Sequence, residues 1–152
     1  MKKLITVVLS ALIFCLLFVG CVDQTGNTET SDKENPITVY DDEFISVDFV
    51  KIVDSIVSGN FELYIKAQNK TDKAVTVYLQ DVSINGSMVQ VGSGVPCDII
   101  AGANRTHGFF GRLDLAGVSS AAEVEKITFK ICLADADFNT IVTTADIEVL
   151  NK

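Results

Sequence analysis

Between positions 61 and 68 the chain reads Phe-Glu-Leu-Tyr-Ile-Lys-Ala-Gln. Phe61, Leu63, Ile65 and Ala67 fall on one phase of a two-residue period, and Glu62, Tyr64, Lys66 and Gln68 on the other. A helix would scatter those four apolar side chains around its axis, whereas a strand with one buried face aligns them. The pattern recurs: Ile45, Val47 and Phe49 alternate with Ser46 and Asp48, and Val75, Val77 and Leu79 alternate with Thr76 and Tyr78. Ile127, Phe129, Ile131 and Leu133 likewise alternate with Thr128, Lys130 and Cys132, which should face away from the core. Ile52 and Val53 break the first of these rhythms, so a bulge is expected near Lys51.

Turn residues separate the runs. Ser58-Gly59-Asn60, Asn69-Lys70-Thr71-Asp72 and Ala101-Gly102-Ala103-Asn104 read as turns. Asn85-Gly86 is the sharpest signal, because both residues tolerate the positive φ of a type I′ hairpin. A two-residue loop there sets Ile84 against Ser87 and Val82 against Val89, with Val91 on the same face. Thr106 to Leu113 reads as a strand, weakened by Gly108 and Gly111, and Ile141, Ile147 and Val149 mark a last strand. Ser120 with Glu123 three residues on has capping-box spacing for one helical turn. Asp41-Asp42-Glu43 reads as a solvated entry to the first strand. Seven to eight short strands without long helices predict an all-β, Ig-like antiparallel β-sandwich over residues 37–152. There is no Trp, and so no antibody-type Cys…Trp…Cys core.

The N-terminus is of another kind. Lys2 and Lys3 precede sixteen almost wholly apolar residues, Leu4 to Val19, and then Gly20-Cys21. As a helix these sixteen span about 24 Å, short of a hydrocarbon core of about 30 Å. The layout is that of an export signal, and Phe18-Val19-Gly20-Cys21 resembles the lipobox of bacterial lipoproteins, with Phe18 where that family usually has Leu. The resemblance implies a signal peptide over 1–20, cleavage between Gly20 and Cys21, and a lipid on Cys21. It also implies attachment to the cell membrane at its extracytoplasmic face. The other reading is an uncleaved anchor, which Val22 would extend. Residues 21–36 then form a flexible tether, since the run from Val22 to Pro36 is almost devoid of apolar side chains. Residues 44–150 resemble an Ig-like sandwich found in many small lipoproteins of Gram-positive bacteria. The stretches carrying this are Lys66 to Thr71, Asp81 to Gly86 and Ile127 to Ile131. That resemblance implies no chemistry.

The formal charge is −8, and loss of Lys2 and Lys3 with the signal takes it to −10. Such a chain repels phosphate backbones, which argues against nucleic acid, and its charge favours a soluble monomer. No Gly-x-Ser-x-Gly, phosphate loop or Cys-x-x-Cys is present, and His107, the one histidine, reads as an ordinary strand residue. Asp135, Asp137 and Asn139 match positions 1, 3 and 5 of an EF-hand loop, and Asp146 falls at position 12. Position 6 is Thr140 rather than Gly, so an acidic hairpin turn is the preferred reading, and neither a metal nor a cofactor is expected. Cys97, after Pro96 in an irregular stretch, and Cys132 have nothing to set them opposite each other. The expectation is a lipid-anchored surface module without catalysis, binding a protein or a small molecule through exposed turns: Asn69, Lys70 and Asp72 in one, Asp135, Asp137 and Asn139 in the other. The alternatives are a metal-dependent or hydrolytic extracytoplasmic enzyme and a purely structural envelope protein.

Overall fold

A computed structural model describes residues 35–151. The signal-like run, Gly20, Cys21 and the tether up to residue 34 lie outside the described residues. Eleven strands run as β1 (Ile37–Asp41), β2 (Ile45–Asp54), β3 (Asn60–Asn69), β4 (Val75–Ile84), β5 (Ser87–Met88), β6 (Val91–Gly92), β7 (Cys97–Ile99), β8 (Asn104–Arg112), β9 (Lys126–Ala134), β10 (Thr140–Thr143) and β11 (Ile147–Leu150). All pairings are antiparallel. One sheet has the order β1-β2-β3-β8-β6 and the other β10-β9-β4-β5, with β11 also on β9 and β7 also on β4. The fold is thus the expected all-β antiparallel sandwich, with eleven strands where seven to eight were expected.

The alternation decides which faces meet. Phe61, Leu63, Ile65 and Ala67 of β3 are fully buried, as are Ile127, Phe129, Ile131 and Leu133 of β9. Each large aliphatic or aromatic side chain so enclosed stabilises the fold by about 1.5–3 kcal/mol relative to exposure. The bulge near Lys51 is present, as a register shift between Phe49 and Lys51 against β3. The Asn85-Gly86 turn has φ of 49° and 85°. Ile84 pairs with Ser87, and the Val89 amide donates to the Val82 carbonyl at 2.9 Å.

The structure corrects the sequence reading at several points. A strand, β1, precedes the one expected first, so that Asp41 ends β1 and Asp42-Glu43 belong to the turn between the two rather than to an entry. Val91 leaves the hairpin's sheet and pairs with Gly111 in the other. Cys97 is not in an irregular stretch: it opens β7 and points into the core. The expected last strand is two, β10 and β11, which follow each other along the same edge of β9. Between them Thr144 is buried, its hydroxyl accepting from the Ile131 amide at 3.0 Å. The turn at Ala121–Glu123 is a 3-10 turn in which the Ser120 side chain makes no cap. Glu123 instead accepts from the Ser119 amide at 2.9 Å.

The register gives the sandwich two ends. Pairs such as Ile45 with Asn69 and Gln68 with Asn104 sit at one end, here the upper. The turns at 42–44, 70–74, 100–103 and 135–139 belong to it. Pairs such as Asp54 with Phe61 and Ile84 with Ile127 sit at the lower end, with the turns at 55–59 and 85–86 and the connection 113–125.

Candidate functional site

The two turns expected to contact a partner both lie at the upper end, but their residues differ in what they can do. Asn69 is fully buried and ties loops together. Its Nδ2 donates to the carbonyls of Lys73, Ile99 and Ile100 at 2.7, 3.0 and 3.2 Å, and its Oδ1 accepts from the Thr71 amide and hydroxyl. Such a side chain offers nothing to a partner, which corrects its assignment to an exposed contact. Lys70 reaches back to the Asp41 carboxylate and donates to the Asp42 carbonyl at 2.7 Å. Asp42 in turn accepts from the amides of Phe44 and Ile45, each at 2.8 Å. Asp72 is exposed.

In the second turn Asp135 holds the loop. Its Oδ1 accepts from the amides of Asp137 and Asn139 at 2.9 and 2.8 Å, and its Oδ2 from Asn139 Nδ2 at 3.1 Å. The Asn139 side-chain and backbone donors hold the Asp135 carboxyl below the usual carboxylate range. Asp137 is exposed. The acidic hairpin turn preferred over a calcium loop is therefore built from Asp135 and Asn139 bonded to each other.

This turn displays a residue that the sequence reading passed over. Phe138 is 73% exposed with φ of 63°, in the left-handed region that a bulky side chain rarely enters. Asp135 and Asn139 fix that conformation, and the Phe138 amide donates to the Asp135 carbonyl at 3.0 Å. The ring borders a depression of about 280 Å³ lined by Ala74, Val75, Thr76, Asp98 and Ala136. A second, of about 570 Å³, adjoins it through Ala74 and Ala136 and is lined also by Lys73, Asp135, Asp137 and Ile141. Ile100, 72% exposed, stands on the neighbouring β7–β8 turn. The available signal was an aromatic in a turn whose other members are small or polar, a place that turn chemistry does not favour for Phe.

His107 lies elsewhere, 8% exposed on the inner face of β8, edge-on to the Phe109 ring at 5.0 Å between centroids. Burial, more than the nearby Arg105, lowers its pKa. A general base has to reach the proton it abstracts, and an imidazole enclosed between the sheets does not meet a substrate at the surface. Cys97 and Cys132 are both buried free thiols. Cys97 pairs with Val77 and Cys132 with Tyr78, adjacent residues of β4 whose side chains point to opposite faces. Cys132 thus does face away from the inter-sheet core, yet it is only 4% exposed, with its Sγ 3.9 Å from the Thr140 hydroxyl.

No family model matches the chain, and no curated protein matches it. Among solved structures it is similar to a FixG-related protein from Vibrio parahaemolyticus, at 13% identity over 74% of this chain and 99% of that one, with a TM-score of 0.38. It is also similar to the GAE domain of yeast GGA1, at 9% identity over 76% and 97% with a TM-score of 0.42. The GAE domain of GGA2p from Saccharomyces cerevisiae is a third, at 12% identity over 76% and 95% with a TM-score of 0.43.

Proposed function

We propose that the chain is a lipid-anchored module on the extracytoplasmic face of the cell membrane, and that it binds a partner through the upper end of its sandwich without catalysing a reaction. One observation carries the binding reading: Phe138 is held exposed, in a backbone conformation costly for its type, beside an apolar depression. Strain retained where the surrounding bonds over-determine it is a mark of functional surfaces. An exposed aromatic beside a concave apolar site is a common anchor for recognition. Anchoring rests on the lipobox-like Val19-Gly20-Cys21, with residues 22–36 as the tether and residues from 37 onward as the folded module. The module works as a monomer, and its acidity opposes both nucleic acid and self-association.

The test is a paired recovery experiment from envelope extract, using the full chain and a Phe138→Ser, Ile100→Ser variant. A component retained by the parent and lost by the variant is the expected result. The same set of components on both would overturn the assignment of the upper end. Mass spectrometry of the mature N-terminus tests the anchor, with a diacylglyceryl group on Cys21 expected and an intact Met1 excluding it.

A further inference from the structure

We infer that the depression beside Phe138 receives an arginine side chain of a partner protein, its guanidinium paired with the Asp98 carboxylate and stacked on the Phe138 ring. The inference rests on the binding role proposed for the upper end and names the chemistry that this end recognises.

Strand register places the depression. Val75 and Val77 of β4 point into the core, so Thr76 between them points to the outer face of its sheet. Asp98 of β7 stands opposite Thr76 on one side, and Ala134 of β9 on the other. Thr76 and Ala134 are nevertheless buried, so neighbouring groups cover this corner of the outer face. The β9–β10 turn brings Phe138 to the border of the depression, whose volume is about 280 Å³. Drug-sized ligands occupy pockets of roughly 300–1,000 Å³, so the space suits one long side chain better than a whole small molecule.

Asp98 supplies the charge. Its Oδ1 accepts from the Thr76 hydroxyl at 2.6 Å, which fixes the direction of the carboxylate. Arg105 donates to the Asp98 backbone carbonyl at 3.0 Å rather than to the carboxylate. Among the described residues no lysine or arginine forms an ion pair with that carboxylate. The Asp98 charge is thus left for a cation from outside.

The surroundings have the same sign. Asp98, Asp135 and Asp137 line the two adjoining depressions against one cation, Lys73. The other strand ends and turns of this end add Asp41, Asp42, Glu43 and Asp72 against Lys70 and Arg105. Carboxylates therefore outnumber cations at the upper end, which draws a cationic partner and repels an anionic one.

Arginine meets both halves of the site. A wholly apolar partner would bury the Asp98 carboxylate unpaired, at a cost in desolvation. A guanidinium is planar and weakly hydrated, so it stacks on an aromatic face while its N–H groups bond a carboxylate. Its methylene stem is apolar and matches Ala74 and Ala136, which line the same depression. Lysine carries a compact, strongly hydrated charge and cannot stack in this way.

The experiment uses the full chain in neutral detergent with Phe138→Trp. The chain has no Trp, so this installs a single emitter at the site, and indole is the best aromatic face for a cation. The probes are acetyl-Leu-Arg-Leu amide and the same peptide with citrulline, which keeps the shape and loses the charge, at matched ionic strength. The expected result is a saturable change in emission, several-fold tighter for the arginine peptide than for the citrulline peptide. Asp98→Asn, which keeps an oxygen for the Thr76 hydroxyl, should reduce the arginine response to the citrulline level. Equal responses to the two peptides, or an arginine response that Asp98→Asn leaves unchanged, overturn the inference. The recovery experiment from envelope extract separates this failure from that of the binding role. If Phe138→Ser, Ile100→Ser loses a component that Asp98→Asn retains, the upper end binds without arginine recognition and this inference alone falls. If neither variant loses a component, the binding role falls and this inference with it.

Discussion

Gly111 shows how a single residue sets the packing of the strand that carries it. It lies opposite Phe61 in the pairing of β3 with β8. A Cβ there would come within 2.4 Å of the Phe61 ring and 3.1 Å of Val91 Cγ1. Phe61 is fully buried and cannot swing aside, so Gly111→Ala should destabilise by about 1–3 kcal/mol through overpacking, read from the denaturant midpoint. An unchanged midpoint would mean that the ring has room. Gly108 repeats the arrangement under Tyr64 on the outer face, at 3.1 Å. The two glycines that weaken β8 as a sequence pattern are therefore seats for the aromatic rings of its neighbour. His107 belongs to the same strand and makes a pH-dependent prediction. Burial holds its pKa below the ordinary 6.5, so the unfolded chain takes up the proton first as pH falls. Stability tied to the neutral ring is complete above about pH 6.5 and is lost as pH falls from there through the depressed folded value. Melting curves between pH 7.5 and 5 should show that loss in the parent and a shallower one in His107→Leu. Equal slopes would exclude His107 as the source.

At the scale of elements, the strands legible in the sequence were those long enough to show a period: β2, β3, β4 and β9 each present four or more alternating residues with matching burial. The Asn85-Gly86 hairpin was legible because its chemistry is local. What escaped was short or set by tertiary contact. β5, β6 and β7 have two or three residues each, too few for any period, and Val91 changes sheets for reasons that lie in β8. β1 carries an edge-strand pattern of mostly exposed residues that reads as loop. Of the expected contact residues, Asn69 was misread because its turn residues mark a surface loop while three carbonyls around it draw its side chain inward. Asp135 and Asn139 were rightly placed in a turn, but the Phe138 they present was not singled out. The thiols follow the same logic. Burial pushes Cys97 up to about 11, and Cys132 is covered by β10. A thiolate is the reacting form, so neither should alkylate quickly in the native protein, and both should react in guanidinium. A mass lower by two hydrogens after non-reducing denaturation would show a disulfide and contradict their opposite-face placement on either side of β4.

For the molecule as a whole, the sandwich leads to a prediction about metal and independence. The sandwich has a continuous core drawn from both sheets, from Ile45 and Phe61 on one side to Ile127 and Leu133 on the other. The described residues by themselves supply this core, so residues 35–152 expressed alone should unfold in one cooperative transition. The EF-hand-like spacing of Asp135, Asp137 and Asn139 gives this experiment a second arm. In a calcium loop those side chains converge on the ion, whereas here the Asp135 oxygens are bonded to Asp137 and Asn139 donors, including the Asn139 side-chain amide that would otherwise offer its oxygen as a ligand. A ligand that binds only the folded state raises the melting temperature by mass action. Millimolar calcium and excess EDTA should therefore give the same melting temperature, for the isolated sandwich and for a variant in which Asp135→Asn weakens the turn. If calcium instead raises the melting temperature by several degrees, and Asp135→Asn abolishes the rise, the turn around Phe138 is a metal loop. The metal-dependent enzyme would then displace the binding module as the reading of the upper end.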